Sequence, residues 1–130
     1  MSDATIDPTC EPPRLGTLEA QVMDLLWERG PGRIRDIIDA LPLDFAYTTI
    51  ATVVGNLQRK CLVVAEREGR AVSFAARVTR EEHTAAVMAH ALESSPNRAA
   101  SMLHFVESMD ESDMALLRGY LVQRAEPAER

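Results

Sequence analysis

Residues 45–60 read FAYTTIATVVGNLQRK, and their apolar side chains have the spacing of an amphipathic helix. These side chains recur every three or four residues, which is typical of a helix that packs one face on a core. They are Ile50, Val53, Val54, Leu57 and Cys61. The opposite face has no acidic residue and carries Thr48, Thr49, Thr52, Gly55, Asn56 and Arg59. Hydroxyls, an amide and a guanidinium suit contact with phosphates and base edges, so this stretch is a candidate DNA-recognition helix. A solvated helix face is the alternative.

The length and composition indicate one domain, or one domain with a small appendage. The chain has 130 residues, and 46% of them are hydrophobic, which is enough for a packed core. No apolar run approaches the ~20 residues that span a bilayer. The amino terminus has neither the basic start nor the apolar centre of a signal peptide. We therefore expect a cytoplasmic protein that does not insert into membranes.

The two cysteines, Cys10 and Cys61, are too few for a disulfide framework and do not have the spacing of metal ligands. The sequence predicts that both are reduced thiols. We expect Cys61 to lie on a buried face, where a thiol lacks the thiolate character that redox sensing needs.

Acidic and basic residues are unevenly distributed along the chain, whose net charge is -6. Residues 1–13 carry three acids and no base, and residues 81–130 carry nine acids and four bases. Residues 14–80 carry ten bases and eight acids, a net charge of +2. Because phosphate attraction is screened within about 8–10 Å at physiological salt, acidic ends are compatible with a basic central segment.

Two shorter helices are predicted ahead of the opening stretch, after a flexible leader at residues 1–13. The first is LGTLEAQVMDLLWERG, with Thr17 as its N-cap and Gly30 at its end. Its core stripe consists of Leu18, Val22, Leu25 and Leu26, with Met23 and Trp27 as a second apolar edge. The second covers residues 34–41, with Ile34, Ile37, Ile38 and Leu41 inward. Three helices in this order predict a helix-turn-helix, in which Arg33 lies near a phosphate.

After Lys60 the periodicity becomes that of strands. Residues 62–67 and 70–75 flank the turn signal Glu68-Gly69, which predicts a small β-hairpin. A two-stranded hairpin is marginal by itself and must pack on the helices. Arg67 and Arg70 lie at its tip. Three helices and a basic hairpin describe a winged helix over residues 14–78.

Three further helices are predicted over residues 79–124, followed by a frayed tail at residues 125–130. The sequence TREE at residues 79–82 is a capping box, SSPN at residues 94–97 interrupts the helix, and Asp110 caps the last one. Their apolar stripes exceed what a small winged head can cover, so we expect a homodimer. A compact monomer is the alternative. The predicted dimerisation residues are Met88, Met102, Leu103, Val106, Met114, Leu117, Tyr120 and Leu121.

Four segments together carry a family resemblance: LGTLEAQVMDLLWERG, FAYTTIATVVGNLQRK, REGRAVSF and VTREE. They resemble the penicillinase-repressor family of bacterial winged-helix regulators over roughly residues 15–120, and Tyr-Thr-Thr at the start of the third helix is the most specific part. The resemblance implies a homodimer that binds a palindromic operator and represses β-lactamase or stress genes. It also implies, for many members, release by a sensor-triggered protease. The relatives that are cleaved have asparagine before a phenylalanine, whereas His104 precedes Phe105 here.

Several site residues follow from this resemblance. Family positions at the DNA surface are matched by Tyr47, Thr48, Thr49 and Thr52, and Arg70 matches a basic residue of the wing. The full predicted DNA-binding set is Arg33, Tyr47, Thr48, Thr49, Thr52, Asn56, Arg59, Lys60, Arg67 and Arg70.

Three positions depart from the family pattern. Gly55 replaces a larger polar residue, Asn56 replaces arginine, and Cys61 replaces a glycine after the helix. Since that glycine normally accepts a left-handed conformation, Cys61 must be strained or the helix must end differently. The differences at Gly55 and Asn56 predict an altered operator preference or weaker binding.

Other classes of function find less support in the sequence. It contains no phosphate-binding glycine loop and no nucleophile with a matching base, so we predict no enzyme activity and no cofactor. His83 and His90 lie seven residues apart but lack a third spaced ligand, so no metal site is predicted. The remaining alternative is a winged helix that serves only as a protein-interaction module, without sequence-specific DNA binding.

Overall fold

The structure, a computed structural model, describes residues 10–125; residues 1–9 and 126–130, which include most of the predicted leader and tail, lie outside it. Six helices and one antiparallel hairpin make up the described chain. In order they are α1 (Thr17–Arg29), α2 (Ile34–Ala40), α3 (Tyr47–Arg59), β1 (Val63–Glu68), β2 (Ala71–Ala76), α4 (Arg80–Glu93), α5 (Arg98–Glu107) and α6 (Glu111–Ala125).

Helices α1 to α3 form the helix-turn-helix core. Their periodic apolar positions meet in one cluster that also includes the start of the hairpin, because each helix buries a single stripe. Among the described residues, those that are fully buried with the largest side chains are Met23, Ile50, Leu57, Val22 and Val54. The predicted inward residues of α2 and α3 are all buried except Cys61, which is half-buried.

The N-cap of α1 lies one residue before the predicted one. Gly16, not Thr17, is the N-cap, and its N–H donates to Glu19 Oε1 at 2.9 Å. The Glu19 carboxylate, three residues after the cap, thus satisfies the backbone donor of the cap residue itself.

The hairpin is present as predicted, but its turn is Gly69-Arg70, one residue later than the predicted Glu68-Gly69. One further contact joins the hairpin to the connection between α1 and α2. Val63 pairs with Ala76 and Glu68 with Ala71, and Gly69 adopts a positive φ of 60° in the turn. Gly32 and Phe74 exchange backbone hydrogen bonds of 3.0 and 2.8 Å. This bridge joins β2 to the helices and explains how a short hairpin is held in place.

The first half of α4 packs on the head. Thr79 and Glu82 form the predicted capping box, with hydrogen bonds of 2.8 and 3.0 Å. Trp27 Nε1 donates to the Val78 carbonyl at 2.9 Å, and the Arg80 guanidinium lies 5.0 Å from the Trp27 ring centroid. The chain accordingly divides into a first compact unit that ends at Ala91 and a second that begins at Leu92. This division falls within α4, later than the boundary predicted after residue 78.

The second unit contains α5 and α6, each with its own cap. Asn97 Oδ1 accepts from the Ala100 N–H at 3.0 Å, and Asp110 Oδ1 accepts from the Asp113 N–H at 2.8 Å, as the sequence predicted for Asp110. Neither helix has a buried residue within the described chain.

The prediction of two reduced thiols is wrong, because Cys10 and Cys61 form a disulfide. The two residues are 51 positions apart, and this spacing does not indicate that folding brings them together. Cys61 has a φ of 62°, so it adopts the left-handed conformation, one of the two outcomes expected at this position.

The leader also differs from its prediction where the structure describes it. Residues 10–13 were expected to be flexible, but Pro13 is buried and the Glu11 N–H donates to the Arg59 carbonyl at 3.1 Å. Together with the disulfide, these contacts hold residues 10–14 against the end of α3. Within residues 10–125, no helix is long and apolar enough to cross a membrane.

Candidate nucleic-acid interface

The amino-terminal half of α3 presents the predicted polar surface. Tyr47, Thr48, Thr49 and Thr52 are all exposed, while Ile50 on the opposite side is completely buried. No acidic residue occurs anywhere in α3. A helix in this position offers three hydroxyls and one phenol to a partner without a repelling charge.

Arg35 of α2 lies beside this surface, and Arg33 is the N-cap of α2. The Arg35 guanidinium is 5.9 Å from the centroid of the Tyr47 ring, close enough for a cation–π contact. Arg33 is exposed, but its backbone N–H donates to Asp36 Oδ2 at 3.0 Å. The side chain of Arg33 therefore remains available to a phosphate, whereas its amide is already satisfied by the helix's own carboxylate.

Two predicted site residues in the carboxyl-terminal half of α3 contact each other in the free chain. The Arg59 guanidinium donates to Asn56 Oδ1, and its Nε lies 3.3 Å from Glu11 Oε2. Both Arg59 and Glu11 are more than half exposed, so this ion pair is weak. Asn56 and Arg59 thus form one local pair instead of two separate contacts.

Lys60 lies apart from the other predicted site residues. Its Nζ donates to Glu19 Oε1 and to the Arg14 carbonyl, both at 2.7 Å, and its side chain is only 15% exposed. An ammonium held in this way stabilises the packing of α3 on α1 and is not free to contact a phosphate. We therefore assign Lys60 a structural role.

The wing carries the two predicted basic residues near its tip, Arg67 in β1 and Arg70 in the turn. Arg67 and Arg70 are exposed, and Gly69 lies between them. The neighbouring Glu66 and Glu68 are exposed as well, so the tip is mixed in charge.

Gly55 leaves room on the polar face of α3. A Cβ added at this position would meet only Arg59 Nη1, at 3.9 Å, which is an ordinary contact. Packing therefore does not require a glycine here. Because Gly55 has no side chain, the polar face of α3 projects less at this position than it would with a larger residue.

Glu19 was missed as a residue that organises this region. Burial alone would raise the pKa of Glu19, but hydrogen bonds from Lys60 and the Gly16 N–H, together with the charge of Lys60, hold the pKa below its ordinary value. The sequence showed Glu19 only as a favourable charge near a helix start. Its pairing with Lys60 joins residues 41 positions apart.

We expect Glu19→Gln to lower the free energy of unfolding by about 2 kcal/mol at neutral pH, because Lys60 would keep a partly buried charge without its partner. The folded-state pKa of Glu19 is depressed, so this contribution is complete above its ordinary pKa of 4.5 and is lost as the pH falls through the lower folded value. Urea unfolding of both proteins across this range is the measurement.

The matched control for this prediction is Glu66→Gln, which removes an exposed carboxylate of β1. It should change the free energy of unfolding by less than about 0.5 kcal/mol. A Glu19→Gln difference that stays constant from neutral to acidic pH would contradict the assigned role of the ion pair.

His83 lies against the head instead of forming part of a metal site. Its ring centroid is 5.7 Å from that of Trp27, and burial together with the charge of Lys60 lowers the pKa of His83. Within the described residues, no group of three or more His, Cys, Asp or Glu side chains is arranged to hold a metal ion.

Three packed helices, a two-stranded hairpin and an exposed polar face on the third helix define a winged-helix protein. The model of the penicillinase repressor family matches residues 15–123, and the chain belongs to this family. Both the predicted family and the predicted fold class are confirmed, and the family is one of transcriptional regulators, not enzymes.

Curated relatives and a solved structure agree with this assignment. The chain is 40% identical over 116 residues to "Transcriptional regulator BlaI" of Mycobacterium tuberculosis, a match that covers 85% of this chain and 84% of that protein. It is 28% identical over 118 residues to an uncharacterized 16.5 kDa protein of Latilactobacillus sakei, covering 86% of this chain and 81% of that one. The solution structure of the DNA-binding domain of the repressor BlaI shares its fold, with a TM-score of 0.50 and 20% identity over 56% of this chain and 92% of that one.

Proposed function

We propose that this DNA-binding repressor works as a homodimer on a palindromic operator, with α3 in the major groove and the wing on the backbone. The observation that carries the proposal is the exposed, acid-free face of α3 in a member of a repressor family. The third helix of a helix-turn-helix is the element that enters the groove, and its first residues reach base edges.

The residues at the start of α3 suit direct reading of bases. Thr48, Thr49 and Thr52 are exposed hydroxyl side chains that both donate and accept hydrogen bonds, and their methyl groups match the methyl group of thymine. Tyr47 is 52% exposed and adds an aromatic surface held near Arg35. We assign base contacts to these threonines.

The exposed arginines outside α3 suit phosphate contacts. Arg33 lies at the start of α2, and Arg67 and Arg70 lie at the wing. Phosphate contacts position a protein on the duplex without reading its sequence. Arg59 joins this group when its pairing with Glu11 is broken.

Support for a homodimer comes from the apolar side chains that the second unit exposes. Met102, Leu103, Tyr120 and Leu121 are each 45–65% exposed in the single chain. Large apolar side chains at this level of exposure suit an interaction surface. In the first unit, Met88 is also exposed. A twofold axis through that surface would present two heads to two half-sites, which is the geometry that a palindrome requires.

A protease is not part of this proposal. Phe105 is 51% exposed on α5, but His104 stands where the cleaved relatives have asparagine.

The salt dependence of DNA binding tests the proposal. If each head neutralises about four phosphates, a dimer should bind a fragment of its own upstream region with a log-log salt slope near about -7. Fluorescence anisotropy at several salt concentrations measures this slope. A flat response would favour the alternative, a winged helix that serves only as a protein-interaction module.

The two kinds of contact are separated by one pair of substitutions. We expect Thr52→Ala to weaken binding to the operator by about 1–3 kcal/mol and binding to unrelated DNA very little, because a base contact carries specificity. Arg70→Ala should weaken both about equally and reduce the salt slope by about 1 per head. Equal losses of specificity in the two variants would show that the roles are misassigned.

A further inference from the structure

Residues 10–14, here called the strap, cross the carboxyl-terminal end of α3 and are bonded to it at several points. Cys10 forms the disulfide with Cys61, which lies two positions after the last residue of α3. The Glu11 N–H donates to the Arg59 carbonyl at 3.1 Å, and the Arg14 carbonyl accepts from Lys60 Nζ at 2.7 Å. The covalent bond is the strongest of these links.

The strap brings a negative charge to the edge of the candidate interface. Glu11 Oε2 lies 3.3 Å from Arg59 Nε. Asn56 lies four residues after Thr52, and Arg59 lies three residues after Asn56, so all three lie on one face of α3. In the disulfide form, the last cation of that face is paired with an acid of the same chain, and a phosphate must compete with that tethered carboxylate for it.

We propose that the Cys10–Cys61 disulfide is a redox switch that weakens DNA binding when closed and strengthens it when reduced. This inference rests on the proposed function. The closed strap occupies Arg59 and places the Glu11 carboxylate where a phosphate would lie. When the disulfide is reduced, the strap can move away, which frees Arg59 and removes the Glu11 carboxylate from the phosphate position in each of the two heads.

The compartment supports a switch over a permanent staple. A chromosome-binding protein works among cellular thiols, where disulfides are usually transient and catalytic or redox-sensing. Cys10 and Cys61 are both only half-buried, so a small reductant has access to them. Cys61 is followed by Leu62 and Val63, which are buried, so the sulfur lies on a rigid part of the head.

The chemistry requires a dithiol as reductant. Its thiolate attacks one sulfur of the Cys10–Cys61 bond and forms a mixed disulfide, while the other cysteine leaves as a thiolate and takes a proton. The second thiol of the reductant, as thiolate, then displaces the protein sulfur. The protein gains two electrons and two protons as two thiols, and the reductant is oxidised to its own disulfide.

Once the covalent bond is broken, the remaining contacts of Glu11 are weak. The Glu11–Arg59 ion pair is exposed on both sides, with 58% exposure for Arg59 and 51% for Glu11, and pairs of this kind contribute little in water. A DNA phosphate then competes with the Glu11 carboxylate for Arg59, and the DNA backbone has a much higher density of negative charge than a single carboxylate. Reduction is thus sufficient to free the arginine.

The expected effect follows from the number of phosphates gained. One additional contact in each head is two in a dimer, which steepens the log-log salt slope by about 2 and tightens binding about tenfold at physiological salt. Because a phosphate contact carries no sequence information, the gain should be similar for any duplex.

The test measures binding to a mixed-sequence DNA duplex of several helical turns by anisotropy, with the full chain either oxidised or reduced by dithiothreitol. The reduced protein should bind about tenfold more tightly and with the steeper slope. Cys10→Ser should bind like the reduced protein under both conditions. Trypsin cleavage after Arg14 should be faster in the reduced form, which reports release of the strap without DNA.

A second variant separates the charge from the fold. Glu11→Gln keeps the disulfide, and in its oxidised form it should recover much of the affinity that reduction restores. Salt-dependent binding that is the same in oxidised and reduced protein would overturn the switch and leave the proposed function intact. Absence of salt-dependent binding in both states would overturn both. A redox response that persists in Cys10→Ser would also overturn the switch.

Discussion

Leu121→Glu is expected to convert the protein to a monomer and to weaken operator binding by at least about a hundredfold. Leu121 is 53% exposed on α6, so a charged residue here leaves the single chain folded and acts on the surface between two chains. A buried carboxylate without a partner strongly opposes association. Two linked heads gain about 10²–10⁴ in affinity over one, because the second binds at high effective concentration, and a monomer loses that gain.

The measurement combines the mass in solution at micromolar concentration with anisotropy on an operator fragment. Gln123→Glu is the matched control, since it adds the same charge to an exposed position of the same helix, two residues further along. Two residues turn the helix by more than half a circle, so the control changes the opposite face. A monomeric wild-type protein, or a Leu121→Glu variant that remains dimeric, would contradict the homodimer.

Leu57→Ala is expected to lower the free energy of unfolding by about 3 kcal/mol. The Leu57 side chain has 0% exposure and lies in the cluster that joins α1, α2, α3 and the hairpin. Its removal leaves a cavity that neighbouring elements cannot all close. A loss of this size should lower the melting temperature by roughly 10–20 °C in a domain of this length.

Thermal unfolding followed by circular dichroism measures the effect of Leu57→Ala, and the oxidised protein is used throughout so that the disulfide is constant. Gln58→Ala is the control, because Gln58 is the next residue of α3 and is exposed. It should change stability by less than about 0.5 kcal/mol. Similar melting temperatures for the two variants would mean that the assignment of the two faces of α3 is wrong.

The elements with one-sided apolar patterns were predictable to within two residues. Residues 45–60 were expected as a helix, and α3 runs from Tyr47 to Arg59. The TREE capping box and the cap at Asp110 were predicted from short-range chemistry and are present. Helix periodicity and capping depend on residues three or four apart, so a linear sequence contains that information.

The candidate site was predictable only in part. The sequence placed Thr48, Thr49 and Thr52 on an exposed face, because burial of Ile50 and Leu57 leaves them no other side of the helix. It also placed Lys60 at the end of α3, but it could not show that Glu19 and the Arg14 carbonyl would take the ammonium. The partners of a long side chain depend on which groups the folded chain places near its end.

The cysteines gave the largest difference between expectation and structure. Their number and spacing indicated two reduced thiols, yet Cys10 and Cys61 are joined. The left-handed conformation at Cys61 was one of two predicted outcomes, the other being a different end of the helix. The strap was not predicted, since a proline-rich leader has no periodic signal. Contacts across such a distance depend on where the head places the end of α3.

By itself, the sequence determined the order and type of the elements and the face of α3 that remains polar, because periodicity, caps and turn residues act over a few positions. Only the tertiary structure decided which cations at the end of α3 form ion pairs within the chain. Arg59 meets Glu11 and Lys60 meets Glu19 only after the strap and α1 have packed against the end of α3. The physical reason is that ion pairs and disulfides depend on distance in space, and the chain brings these partners together only by folding.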